Sequence, residues 1–181
     1  LIQMISILAI ATAIILFVNY CYRSYKQRIR KRVDEQMKVS LLSVLMMLIP
    51  VVFLIVILVL FFLSDKENTR MIISYGFIIF FGWITAIILG MTFKTLPFIV
   101  WNKVYHHLAG KGKTPTPKDL FNNTVFKYMT LIYIFGFLLF IPGILLNSTF
   151  ILQTAALLLV ITAGLYNWNV IKLLMHKPVS K

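Results

Sequence analysis

Five long runs of apolar residues, separated by polar connections, organise the chain. They are Leu1–Tyr20, Val39–Leu63, Met71–Phe93 with an extension toward Trp101 left open, Phe126–Leu146 and Phe150–Leu174. At 1.5 Å of rise per residue, ~20 apolar residues cross the hydrocarbon core of a bilayer as a helix. Strict alternation of apolar and polar positions is absent and each run is too long for a barrel strand. The pattern predicts an all-α, polytopic membrane helix bundle of about five transmembrane helices, forming a single transmembrane domain over 1–181.

Composition agrees with that reading. Of the 181 residues, 60% are hydrophobic and only 13% charged, against about a quarter charged in soluble domains. The chain opens on Leu1, already inside an apolar run and without a basic leader, as expected where a segment ahead of it has been removed or, the favoured expectation, where it is the C-terminal part of a longer protein. Cys21 is the only cysteine, so an internal disulfide and a thiolate metal cage are both excluded.

Charge orients the bundle. Sixteen of the 18 Lys and Arg fall in the first and third connections and the tail, leaving Lys66 and Arg70 for the other side. The positive-inside rule then puts the N-terminus outside and the C-terminus in the cytoplasm, in a bacterial inner membrane. Tyr20, Tyr22, Tyr25, Trp101, Tyr105 and Trp168 cluster near the same basic ends, as an aromatic belt does. The net charge of +13 is thereby explained by topology and anionic lipid rather than by nucleic acid. The cluster Arg28, Arg30, Lys31 and Arg32 belongs to this cytoplasmic basic set.

One stretch imitates a nucleotide site. Gly110 to Thr114 reads GKGKT, but the first glycine of a phosphate-binding loop should occupy position 107, which is His107. No strand precedes it, and Pro115 keeps Thr114 out of helical angles. The segment reads as a turn-rich cytoplasmic loop that holds no ATP. His106 and His107 are adjacent, so on a helix they diverge by ~100° and cannot grip one metal together.

The spans carry no Asp, Glu or His in their cores, whereas proton relays and ion-coupled transporters place ionisable groups at depth. Their polar residues are hydroxyls, at Thr12, Ser43, Ser74, Thr85, Thr130, Thr154 and Thr162, which can bond to their own helix backbone. Pro50 and Pro142 interrupt the second and fourth runs and predict kinks. In the third run Gly82, Ala86 and Gly90 form a small-residue stripe at four-residue spacing, predicting close packing against another helix. Lys94 continues that spacing toward the inner surface, a candidate contact for an anionic ligand, lipid headgroup or partner carboxylate. Pro97 predicts a further kink, followed by an interfacial amphipathic segment over 97–108.

The third run also carries a resemblance. Gly82, Trp83, Gly90, Lys94, Pro97, Phe98 and Trp101, followed by K-T-P-x-P-K-D-L from Lys113 to Leu120, resemble a pattern in bacterial membrane proteins similar to haem-copper oxidase subunit I and NnrS-like proteins. About forty residues are covered. The resemblance implies haem and copper held by histidines within the helices. None of those histidines can be matched here, so no catalytic, haem or metal ligand is carried over; any such ligands would lie upstream of Leu1 or have been lost. With no set of groups in catalytic spacing, the leading expectation is a non-catalytic or partial helical component of a bacterial inner-membrane, oxidase-like protein or complex, packed against other helices or subunits. The alternative is a portion of a transporter or channel, with Pro50, Pro142 and Lys94 shaping a path.

Overall fold

The computed structural model describes residues 2–29, 33–64, 68–108 and 114–177. Among them the chain is helical throughout: α1 (Ile2–Lys26), α2 (Glu35–Met46), α3 (Leu48–Ser64), α4 (Thr69–Phe77), a π-helical segment (Ile78–Ile84), α5 (Thr85–Tyr105), α6 (Asn123–Leu145) and α7 (Thr149–Leu174). These make five spans long and apolar enough to cross a membrane: Ile5–Lys26, Glu35–Leu63, Thr69–Tyr105, Asn123–Leu145 and Thr149–Leu174. Where the sequence reading treats 1–181 as a single domain, the chain forms two compact units, Leu1–Ile88 and Leu89–Lys181.

In the first unit α2 and α3 are one span broken at Met47. Pro50 has no N–H to give the Met46 carbonyl, and its ring crowds that carbonyl. The Met47 amide is shared between Ser43 O and Val44 O, at 3.2 and 3.3 Å. The expected Pro50 kink is therefore a break three residues upstream of the proline. α2 buries Gln36, Val39, Ser40, Ser43 and Met46, a stripe at spacings of three and four, and packs against α1 and the π-helical segment.

The third span differs most from expectation. It runs 37 residues, ~55 Å at helical rise, well beyond the ~30 Å hydrocarbon core. Pro97 lies inside α5 without ending it. Residues 97–105 are the last turns of that helix and His106–Leu108 a single 3₁₀ turn, so there is no separate interfacial helix over 97–108. Within the span, Thr85 Oγ1 donates to Phe80 O five residues back at 2.8 Å, closing the π-helical turn.

In the second unit α6 and α7 form an antiparallel hairpin. Asn147 takes the left-handed conformation (φ 54°). The amide of Ser148 bonds to Gly143 O and that of Asn147 to Ile144 O, at 3.1 and 3.2 Å, the paired bonds of a Schellman turn. Buried residues on the facing helices repeat every seven positions: Met129, Gly136 and Gly143 on α6, Ala155, Thr162 and Asn169 on α7. That repeat is the seam of left-handed, coiled-coil-like packing. A Cβ on Gly136 would lie 3.1 Å from Leu158 Cβ, and one on Gly143 3.1 Å from Leu152 Cδ2. The documented small-residue approach is thus on α6, at seven-residue spacing.

Phe93, 1% exposed, ties α5 to that hairpin. Its ring meets Phe121, Phe126 and Tyr166 at centroid distances of 5.6, 5.2 and 5.6 Å. Thr92 Oγ1 and Tyr166 Oη lie 3.2 Å apart beside it.

Candidate functional site

Two places gather chemistry, one in each unit. In the first, α1 and α2 enclose an apolar groove of about 410 Å³. α1 contributes Val18, Cys21, Tyr22 and Tyr25, and α2 contributes Lys38, Leu41, Leu42, Val44 and Leu45. The spacing explains the groove. Positions 18, 21, 22 and 25 share one helical face, as do 38, 41, 42 and 45. The two helices leave and enter the same short connection, so the polar end of each face is at the same end of the groove. Lys38 and Tyr25 sit there, and Val18 and Leu45 mark the depth, about 10 Å away at helical rise.

Electrostatics sharpens that end. Arg28 stacks its guanidinium 3.9 Å from the centre of the Tyr25 ring, and its Nη1 donates to Tyr25 O at 2.7 Å. Lys38 Nζ donates to Glu35 Oε1 at 3.0 Å, with both side chains exposed. Arg30, Lys31 and Arg32 lie outside the described residues. Cys21 is a half-buried free thiol on the groove wall.

In the second unit a polar and aromatic cluster gathers at the end of α5. Val100, Tyr105, Leu120 and Leu173 form a small buried core. Tyr105 Oη and His176 Nε2 are 2.9 Å apart, and Trp101 Nε1 donates to Pro115 O at 2.6 Å. Asn169, 1% exposed, grips the backbone of Asn122: its Oδ1 accepts from Asn122 N and its Nδ2 donates to Asn122 O, each at 3.1 Å. Asn122 in turn caps α6, its Oδ1 accepting from the amides of Thr124 and Val125. Asp119 Oδ2 accepts from the hydroxyl and the amide of Thr116, at 2.7 and 2.9 Å. These two bonds hold the carboxyl below its ordinary range, the hydroxyl contributing most. These interactions shape and fix the loop; they engage polar groups with backbone and with one another rather than presenting them to a ligand.

The residues singled out in the third run separate. Gly82, Ala86 and Gly90 are buried, Gly82 and Ala86 in the first unit and Gly90 in the second, while Lys94 is exposed. Lys94 therefore does not extend the buried stripe. A four-residue step in an α-helix advances ~40° past a full turn, so a stripe at that spacing drifts off its face. The wider turn of the π-helical segment offsets the drift as far as Ala86. Beyond it the helix is regular, and the buried positions become Leu89, Gly90, Phe93, Pro97 and Val100. Phe93 takes the place that Lys94 would have held.

His106 and His107 are exposed, His176 faces Tyr105, and among the described residues no three His, Cys, Asp or Glu come together to hold a metal ion. Residues 110–113 of the GKGKT stretch lie outside the described residues. Six of the seven mid-span hydroxyls donate to a carbonyl three to five residues back. Ser74 is the exception, fully buried with its hydroxyl unpartnered. The sequence matches no protein family, no curated protein and no solved structure.

The groove carries no motif, because its wall residues are ordinary ones. Its signal was available: matched i, i+3, i+4, i+7 faces on either side of a short basic connection. The Asn169–Asn122 clamp had no such signal, because it joins residues 47 apart through backbone atoms.

Proposed function

We propose that the chain is a non-catalytic helical component of a bacterial inner-membrane, oxidase-like complex, with its N-terminus outside and its C-terminus in the cytoplasm. The observation that supports it best is the state of α1. None of its described side chains is buried, and it leans on its own unit through the half-buried stripe Ile7, Ala11, Ile14, Val18 and Cys21 and the groove wall at Tyr22 and Tyr25. In lipid, apolar contact alone gives little drive between helices, and packing must hold them together. A span so thinly packed by its own chain is completed by a neighbouring subunit. The oxidase-like character rests on the residues from Gly82 to Trp101 described above, and the orientation on the sixteen-to-two charge division.

Purification from native bacterial membranes in mild detergent tests the reading. The expected result is a complex holding at least one other subunit, with a Soret band that the chain expressed alone lacks. A chain that emerges alone, without a Soret band, and supports solute flux in vesicles overturns it in favour of a transporter or channel. For orientation, Gly112→Cys in a Cys21→Ser background should resist an impermeant maleimide in intact cells; labelling from outside contradicts the proposed topology.

A further inference from the structure

The groove between α1 and α2 has the form of a site for an amphiphile. Its depth is lined by Val18, Leu41, Leu42 and Leu45, and its mouth by Tyr25 and Lys38. Its volume of about 410 Å³ falls within the ~300–1,000 Å³ of small-ligand pockets. Charge is confined to one end. The stretch from Tyr22 to Lys38 carries seven Lys and Arg against Asp34 and Glu35. The Lys38–Glu35 pair is exposed on both sides, and such pairs are weak enough to exchange for a better anion.

We propose that this groove binds one anionic phospholipid, with an acyl chain between the helices and the phosphate at the mouth, against Lys38 and the Arg28 guanidinium that stacks on Tyr25. Basic clusters next to a transmembrane helix attract anionic headgroups, and here an apolar slot lies directly behind Lys38 and Tyr25. A second copy of the chain is the poorer occupant. It would bring the same basic end to the same membrane level, placing like charges opposite one another.

Native mass spectrometry of the delipidated full chain tests this, with phosphatidylglycerol or phosphatidylcholine of matched acyl chains added back. Wild type should retain one phosphatidylglycerol per chain, at least fivefold more occupied than phosphatidylcholine. Leu42→Trp, which fills the slot, should lose it. Lys38→Gln should reduce the preference toward unity. Leu131→Trp, on an exposed face of α6, should behave as wild type. Equal occupancy by the two lipids overturns the proposal, as does retention by Leu42→Trp. A dimer mass that Leu42→Trp abolishes, with no bound lipid, also overturns it and assigns the groove to a second copy. A measurement on the unmodified chain removes dependence on the variants' folding. Mixed-disulfide formation at Cys21 by a neutral methanethiosulfonate, with methanesulfinate leaving, should slow at least fivefold in neutral detergent and saturate at one phosphatidylglycerol per chain. An unchanged or unsaturating rate overturns the proposal.

Discussion

Replacing Asn169 with leucine should destabilise the α6–α7 hairpin out of proportion to its size. The substitution keeps the branched outline of a side chain that is 1% exposed, with slightly bulkier ends, and removes both hydrogen bonds to the Asn122 backbone, each 3.1 Å long. A neutral hydrogen bond contributes about 0.5–1.5 kcal/mol net, so two give about 1–3 kcal/mol. The larger penalty for stranding buried groups does not apply in full, because Asn122 is itself exposed and water can reach its freed amide and carbonyl. Asn167→Leu is the control. Asn167 is exposed and its side chain bonds only to Ala163 O on its own helix, so its loss should stay within about 0.5 kcal/mol. Equilibrium unfolding in mixed micelles with increasing SDS, followed by tryptophan fluorescence, compares the two. If they unfold within about 0.5 kcal/mol of each other, the clamp contributes nothing and the reasoning from its geometry fails.

Gly90→Leu should overpack a buried position and cost about 1–3 kcal/mol, while Ile88→Leu, at a side chain 50% exposed, should be nearly neutral; equal melting points in detergent would show that the stripe is not packed. Asp119 has its carboxyl pKa lowered by Thr116, so its contribution is present above the unfolded value near 3.8 and is lost as pH falls through the lower folded one. Hydrogen-exchange protection of the Thr116 amide should follow that course and be absent in Asp119→Asn; protection that is flat with pH refutes it. ATP should not bind the purified chain, and micromolar binding abolished by Lys113→Ala would overturn the reading of the GKGKT stretch.

What was legible in the sequence was what lipid enforces. A membrane span must be long, apolar and internally hydrogen-bonded, so five runs of residues became five helices. The ends were harder. The apolar run of the third span thins at Phe93 and leaves open an extension toward Trp101, and α5 passes through Lys94 and Pro97 to Tyr105. A proline in a helix costs one hydrogen bond and a local clash, and tertiary packing sustains the helix around it: Pro97 is itself fully buried and Phe93, one turn earlier, is the hub of an aromatic cluster. The π-helical turn at Ile78–Ile84 left no trace in composition, and it decides which residues of the third span face inward. The seam of the α6–α7 hairpin is present as a seven-residue repeat of Gly136–Gly143 and Ala155–Thr162–Asn169, a weaker sequence signal than the four-residue spacing of Gly82, Ala86 and Gly90 because the small and polar types alternate between helices. The groove required two helix faces to be paired across a connection, which periodicity within one helix does not reveal.

The claim that this chain is one part of a larger membrane assembly is tested most directly at α1. A photo-crosslinking amino acid at Ile5 or Leu16, exposed by 58% and 63% on the side away from the leaning stripe, reports what lies against that helix in native membranes. Leu131, exposed on α6, serves as the lipid-facing reference. The account predicts a discrete protein adduct from at least one α1 position, carrying the same partner subunit that copurifies with the chain. Lipid adducts alone from both α1 positions, as from Leu131, would contradict it.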